Sequence, residues 1–126
     1  MATPIRAMTE AQVREGVSVL TVSKLAQQLD VPITVLVSWL QISPRTWARR
    51  KQAGVLDLLE SDRAARLTRL IARAAVVTGG AAEARAWLMT PNRALDHRAP
   101  FEAADTEVGA EAVFNLLGRL EHGVFS

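Results

Sequence analysis

Apolar side chains recur at the three- and four-residue spacing of an α-helix along most of this 126-residue chain. Leu67, Leu70, Ile71, Ala74 and Val77 form one such set. No segment sustains the alternation of a half-buried β-strand, and aromatic residues, which strands favour, make up only 5% of the chain. These patterns predict an all-α fold.

Capping residues and helix breakers divide the chain into short helices. Serine, threonine or aspartate can cap a helix start, proline suits its first turn, and glycine suits the residue after its end. The spacing predicts four helices in the first part, over about 9–17, 22–29, 33–40 and 44–53, the second of them capped by Thr21 or Ser23. A long helix follows from a cap at Ser61 or Asp62 to about 78. Further helices are predicted over 81–89 and 107–122, with one turn at 101–104 between them. We place a boundary between Gln52 and Ser61, which gives parts 1–60 and 61–126.

The composition excludes several classes of chemistry. With no cysteine and two distant histidines, the chain lacks disulfides, cysteine-bound zinc and thiol catalysis, and we expect no metal site and no cofactor. Asp96, His97 and Arg98 have no suitably spaced nucleophile or second carboxylate, so we expect no catalytic residue and no enzyme activity. No apolar run suits a membrane span or a secretion signal, and a cytoplasmic protein is expected.

Charge is distributed unevenly behind a net charge of +2. Residues 1–60 carry seven basic and five acidic groups, residues 61–98 carry seven and three, and residues 99–126 carry one and five. A basic region suits phosphates and an acidic end suits a protein partner, although a solvated helix surface explains either one as well.

Helices 33–40 and 44–53, joined by Gln41, Ile42 and Ser43, have the size and tight connection of a helix-turn-helix. The second helix carries a dense basic cluster, and its start offers free N–H groups to a phosphate. The candidate DNA-binding residues are Ser43, Arg45, Thr46, Arg49, Arg50 and Lys51. The alternative is that the arginine-rich surface binds no DNA, or that the helix-turn-helix fold is retained only for dimerisation. Trp39 and Trp47 are expected in the core.

The last helix ends just before a short apolar tail. Val113, Leu116, Leu117 and Leu120 form one helical stripe, and Gly123 suits a left-handed helix end. The remaining residues 124–126 are too few to fold alone. They either pack back on their own domain or fill the pocket of a partner.

Three residues of this helix need a further explanation. Gly109 and Gly118 weaken a helix, which is tolerated where another backbone must approach closely, within the chain or across an interface. Glu121 lies in the last turn, where it opposes the helix dipole, so its carboxylate calls for a nearby cation such as one on a partner.

Several motifs, taken in order, make the chain recognisable. They are Ser43-Pro44-Arg45-Thr46-Trp47-Ala48-Arg49-Arg50, Ser61-Asp62-Arg63, Arg66-Leu67-Thr68-Arg69-Leu70, Ala86-Trp87-Leu88, Pro91-Asn92, Ala94-Leu95, Pro100-Phe101, Gly109-Ala110 and Leu116-Leu117-Gly118-Arg119-Leu120-Glu121-His122-Gly123. Over about residues 20–125 the sequence closely resembles the Xre/MbcA/ParS-type antitoxins. The resemblance implies an Xre-like DNA-binding region in 1–60, a toxin-binding domain in 61–126, and a RES-domain toxin that consumes NAD or transfers ADP-ribose as the partner.

The resemblance also implies which residues meet the toxin. In such antitoxins the last helix and the terminal residues reach into the toxin's cofactor cleft. The positions that match this end are Arg119, Glu121, His122, Gly123, Val124, Phe125 and Ser126. The loop residues Asn92, Arg93, Leu95, Pro100 and Phe101 also match motif positions, and they either contact the toxin or only shape the domain. The loop departs from the family at Asp96-His97-Arg98, where many members have glycine.

The expected function is therefore that of a type II antitoxin. It blocks the toxin's active site and represses its own operon by binding a palindromic operator, which requires a homodimer because one short recognition helix reads too few bases. The alternative is a stand-alone helix-turn-helix regulator with a C-terminal dimerisation domain.

Overall fold

The computed structural model describes residues 6–123, and these residues form an all-α fold, as predicted. They contain the α-helices α1 (Glu10–Glu15), α2 (Val19–Leu29), α3 (Ile33–Trp39), α4 (Pro44–Ala53), α5 (Leu58–Thr78), α6 (Ala81–Met89), α7 (Pro100–Ala103) and α8 (Glu107–Glu121). A single 3₁₀ turn covers Arg93–Leu95. Extended pairing within this range is limited to two isolated bridges, Ser18 with Val55 and Asn92 with Arg98.

Two predicted helix starts are wrong. The second helix is capped by Ser18, whose hydroxyl accepts the N–H of Leu20 at 3.1 Å, and not by Thr21 or Ser23. The fifth helix begins at Leu58 because Asp57 Oδ1 accepts the N–H of Glu60 at 2.8 Å. In each case an earlier oxygen on the chain already serves as the cap.

Ser61, one of the predicted caps, has a different role. Its side chain is buried inside α5, and its hydroxyl accepts the N–H of Val17 at 2.9 Å. That bond joins residues 44 positions apart in the sequence. A buried N–H left without such a partner costs about 1–3 kcal/mol, so Ser61 stabilises the turn between α1 and α2.

The chain divides into two compact units, with the division between Thr68 and Arg69 inside α5. In residues 6–68, α2 packs against α3, and α5 supplies further core side chains. The guanidinium of Arg66 lies 5.4 Å from the centre of the buried Trp39 ring. The large buried side chains of this unit include Leu25, Leu29, Leu36, Trp39, Leu40, Ile42, Leu56 and Leu67. Each buried leucine contributes roughly 1.5–3 kcal/mol to stability.

In residues 69–123, α7 packs against both α6 and α8. Thr106 caps α8 as predicted, by accepting the N–H of Gly109 at 3.0 Å. Val113, Leu116 and Leu117 of the predicted stripe are buried, whereas Leu120 is half-buried. The apolar core of this unit is formed by Leu70, Ile71, Ala74, Ala84, Leu88, Leu95, Phe101, Val113 and Leu117.

The loop before α7 is held by its own backbone. Asn92 and Arg98 pair through the bond from Asn92 N to Arg98 O at 3.0 Å, and Asn92 Oδ1 accepts the N–H of Ala94 at 2.9 Å. Asp96 (φ 56°) and His97 (φ 64°) both adopt the left-handed conformation. These are the positions where the resemblance leads one to expect glycine, and aspartate and histidine are among the residues that tolerate this conformation best.

Candidate functional site

The basic helix α4 begins and ends at the predicted residues. Ser43 Oγ accepts the N–H of Thr46 at 3.1 Å and donates to Thr46 Oγ1 at 3.0 Å, and Pro44 occupies the first turn. At the other end, Gly54 (φ 86°) donates its N–H to Arg50 O at 2.7 Å. A short helix with both ends satisfied presents its side chains in a fixed arrangement.

The basic face of α4 consists of Arg45 and Arg49, which lie one helical turn apart and are both exposed. Lys51 is exposed too, but it lies on another side of the helix, at the cavity that Trp47 lines. No acid lies between Val31 and Leu56, so the helix itself supplies no charge that would neutralise this face. Exposed guanidinium groups one helical turn apart are suited to phosphate oxygens.

Unlike Arg45 and Arg49, Arg50 is half-buried and bonded to two carboxylates. Its Nε donates to Glu60 Oε1 at 2.6 Å, and its Nη2 donates to Glu60 Oε2 and to Asp57 Oδ2, each at 3.2 Å. The hydrogen bond with Glu60, aided by the nearby carboxylate charges, raises the pKa of Arg50. Because Glu60 is buried and needs a cation, Arg50 joins α4 to the start of α5. DNA contact by Arg50 stays a prediction.

The two tryptophans of the helix-turn-helix, Trp39 and Trp47, differ in burial. Trp39 lies in the core, with 5% of its surface exposed, as predicted. Trp47 is only half-buried, so its predicted place in the core is wrong. It lines a surface cavity of about 480 Å³ together with residues of α2 and with Lys51. The cause is geometric, since α4 buries none of its side chains fully.

The end of α8 forms a second candidate surface. Arg119, His122 and Gly123 are exposed and make up what we term the C-terminal face. Gly123 adopts the predicted left-handed conformation, with φ 67°. The predicted toxin-binding residues Val124, Phe125 and Ser126 lie outside the described residues, directly after this face.

Glu121 finds its cation within its own unit. Arg73 of α5 pairs with both of its carboxylate oxygens: Nη1 donates to Oε2 at 3.0 Å, and Nη2 donates to Oε1. These hydrogen bonds and the charge of Arg73 lower the pKa of Glu121, and they raise the pKa of Arg73. An acid that opposes the helix dipole is therefore balanced without a partner.

The predicted toxin-binding residues of the loop fall into two groups. Arg93 is exposed and Asn92 is half-buried, whereas Leu95, Pro100 and Phe101 are buried in the core. The buried three shape the unit from inside. Their contact with a toxin stays a prediction, and so does that of Asn92 and Arg93.

The two glycines of α8 have different surroundings. A β-carbon on Gly109 would overlap the carbonyl oxygen of Ala103 and lie 2.9 Å from its carbonyl carbon, so α7 occupies that space. A β-carbon on Gly118 would meet nothing within 4 Å. Close approach within the chain therefore explains Gly109 and does not explain Gly118.

Sequence reasoning missed three residues that hold these surfaces in place, Arg73, Asp57 and Glu60, and it gave Ser61 the role of a cap, where the structure has it bonded to Val17. Arg73 and Glu121 are 48 positions apart, so no local pattern relates them. The spacing of Asp57 and Glu60, three residues apart before an apolar run, is a recognisable helix-start signal and could have indicated the first turn of α5.

Among residues 6–123 no group of three or more acidic or histidine side chains could hold a metal ion, and no helix is long and apolar enough to cross a membrane.

Comparison with known proteins assigns a family to each part of the chain. Residues 8–69 match the antitoxin Xre-like helix-turn-helix domain, and residues 73–123 match the antitoxin Xre/MbcA/ParS C-terminal toxin-binding domain. Antitoxin Xre of Yersinia enterocolitica is 35% identical over 116 residues, which cover 90% of this chain and 78% of that protein. Antitoxin Xre of Photorhabdus laumondii is 33% identical over 118 residues, which cover 92% of this chain and 80% of that protein.

A solved structure is similar as well. It is the crystal structure of the M. tuberculosis MbcT-MbcA toxin-antitoxin complex, and the matching chain is 27% identical with a TM-score of 0.59. The match covers 84% of this chain and 95% of the other.

Proposed function

The chain belongs to the Xre/MbcA/ParS family and is an antitoxin of a toxin–antitoxin system, and from this premise we propose that it blocks the active site of a RES-domain toxin. In this proposal the system is type II, the complex forms in the cytoplasm, and the chain acts by binding and not by catalysis. The toxin is an enzyme that consumes NAD or transfers ADP-ribose.

The observation that carries the proposal is the end of α8. The Arg73–Glu121 pair fixes the last helical turn, and Arg119, His122 and Gly123 are exposed just before the final three residues. Residues 73–123 also match a domain named for toxin binding. A held helix end suits entry into a cleft, because the helix end itself loses little conformational freedom on binding.

The second part of the proposal is autoregulation through DNA. The basic face of α4 lies in the part that matches a helix-turn-helix domain, and its exposed cations suit an operator's phosphates. A homodimer presents two such helices to a palindromic operator. Ser43 supports this face by capping α4 through the N–H of Thr46, and in this proposal the hydroxyls of Ser43 and Thr46 also meet phosphates.

Deleting residues 123–126 tests the toxin-blocking part. We expect inhibition of the purified RES-domain toxin to weaken by about 30-fold or more, because a buried aromatic at the centre of an interface is worth at least 2 kcal/mol. Operator binding and the thermal unfolding midpoint should stay unchanged. The control replaces the same four residues with a glycine-serine tetrapeptide, which keeps the length and removes the side chains. If the deleted chain inhibits as strongly as the full chain, the terminal segment does not block the active site.

A further inference from the structure

The start of α5 is bonded to both helices of the helix-turn-helix. Glu60 accepts paired hydrogen bonds from Arg50 of α4, Nε to Oε1 at 2.6 Å and Nη2 to Oε2 at 3.2 Å. Three residues further along α5, Arg63 Nη1 donates to the carbonyl oxygen of Leu40, the residue that ends α3, at 3.3 Å. The short turn 41–43 is therefore not the only link that fixes α4 relative to α3.

Glu60 is itself held in place by its neighbours. Its side chain is buried, and Oε1 also accepts the N–H of Asp57 at 3.0 Å, while Asp57 Oδ1 accepts the N–H of Glu60 at 2.8 Å. Asp57 Oδ2 accepts a further hydrogen bond from Arg50 Nη2 at 3.2 Å. Because both carboxylates are bonded to backbone N–H groups as well as to the guanidinium, the side chain of Arg50 is fixed at one place on α5.

Arg50 leaves α4 on a different side from the basic face. Residues of an α-helix follow one another at roughly 100° around its axis, so Arg50 lies roughly 100° from Arg49 and roughly 140° from Arg45. Arg50 is half-buried beside Glu60, whereas Arg45 and Arg49 are exposed. Fixing Arg50 therefore fixes the direction in which the basic face points.

The charge of this cluster does not attract DNA. Arg50 supplies one positive charge, and Asp57 and Glu60 supply two negative charges. The excess negative charge beside α4 weakens its attraction for phosphates. If the cluster favours DNA binding, it does so through geometry.

We propose that Glu60 is a positioning residue for sequence readout by α4. Its bonds to Arg50 fix the rotation of α4 about its own axis, and that rotation decides which exposed side chains meet the edges of bases. Hydrogen bonds to base edges require placement to within about 0.5 Å, whereas attraction between exposed cations and phosphates tolerates larger shifts. Glu60 therefore determines the preference for one DNA sequence over another, and not the affinity for DNA as such. The inference rests on the proposed operator binding.

The first test is Glu60→Gln in the full chain, titrated with two DNA duplexes at one salt concentration. The specific duplex is one that the wild-type chain selects from a random library, and the reference duplex has the same composition in scrambled order. We expect the ratio of specific to reference affinity to fall about 10-fold or more, since one lost base contact costs roughly that much. Reference affinity should stay the same or rise, because an acid has been removed.

The ratio also separates positioning from folding. A variant that is only less stable loses affinity for both duplexes in proportion to its unfolded fraction, so its ratio does not change. A Glu60→Gln ratio within two-fold of the wild-type ratio overturns the proposal.

Asp62→Asn is the matched control for charge. Asp62 lies two residues beyond Glu60 on α5, is exposed, and takes no part in the bonds to Arg50. Its replacement removes the same charge, so both affinities should stay the same or rise together while their ratio is unchanged. If Asp62→Asn lowers the ratio as far as Glu60→Gln does, charge and not geometry is responsible, and the inference fails.

Arg50→Lys provides a second test that conserves charge. An ammonium group cannot reproduce the paired bonds of a guanidinium, so this variant should also lower the ratio. In the Glu60→Gln background it should lower the ratio no further, because both changes remove the same bonds. A further loss as large as that of Arg50→Lys alone would mean that Arg50 acts independently of Glu60, for instance on a phosphate, and would overturn the proposal.

The selection step separates this inference from the proposed function. If the wild-type chain selects no DNA sequence from the library, the proposed operator binding fails, and the inference fails with it. If the wild-type chain selects a sequence and Glu60→Gln keeps the wild-type ratio, operator binding stands and only the inference fails.

Discussion

At the scale of single residues, the two glycines of α8 should respond in opposite ways to replacement by alanine. Gly109 has the carbonyl of Ala103 where its β-carbon would be, whereas Gly118 faces open space. Glycine inside a helix costs roughly 0.5–1 kcal/mol relative to alanine when nothing else constrains the position. Glycine at position 109 therefore allows α7 to pack closely on α8. At Gly118 the loss of helix stability is not offset by any close contact within residues 69–123.

We predict that Gly109→Ala lowers the free energy of unfolding by about 1–3 kcal/mol, because α7 must move away from α8. Gly118→Ala should raise it by about 0.5–1 kcal/mol. Urea unfolding followed by circular dichroism measures both, and each variant serves as the control for the other. Equal effects of the same sign would mean that the packing of α7 on α8 is not the reason for Gly109.

The Arg73–Glu121 pair gives a second prediction at this scale. Arg73→Glu places like charges together at the end of α8, and we expect toxin inhibition to weaken by about two- to five-fold, as befits a solvent-exposed pair. The exchange variant Arg73→Glu with Glu121→Arg should recover that loss if the pair acts by holding the last turn in place. An exchange variant that inhibits no better than the single variant would show that Glu121 contacts the toxin directly.

At the scale of elements, α4 carries the prediction for DNA. Arg45→Ala and Arg49→Ala should each lower operator affinity and reduce the slope of log affinity against log salt by about 0.9, since each removes one phosphate contact. Arg98→Ala is the control, because it removes one exposed positive charge from the other unit. An unchanged slope in both α4 variants would place the DNA surface elsewhere.

Helix ends show what local sequence can and cannot predict. The start of α4 at Ser43-Pro44 and its end at Gly54 were predictable because each residue acts on its immediate neighbours. Ser61 was mistaken for a cap because its hydroxyl serves Val17, a partner 44 positions away. Ser18 and Asp57 cap α2 and α5 through equally local bonds, which a closer examination of the sequence could find, whereas no local pattern indicates the bond between Val17 and Ser61.

At the scale of the whole molecule, periodicity predicted the all-α class, and the ordered motifs predicted the family. The candidate surfaces were predicted less well, because burial is a property of the folded chain. Leu95, Pro100 and Phe101 stand in the motif order beside exposed residues, yet they are buried, while Leu58 and Leu59 are exposed although they are apolar. The assignment of separate functions to residues 1–60 and 61–126 stays a prediction.

The most direct test of the account is the inhibition of the toxin by purified components. A purified RES-domain toxin that consumes NAD is mixed with increasing amounts of the full chain, and NAD consumption is measured together with the mass of any complex that forms. We predict a stable complex and a loss of NAD consumption that is complete when the toxin is saturated. If no complex forms and NAD consumption continues unchanged, blocking of a RES-domain toxin is contradicted, and a DNA-binding regulator would be the remaining function.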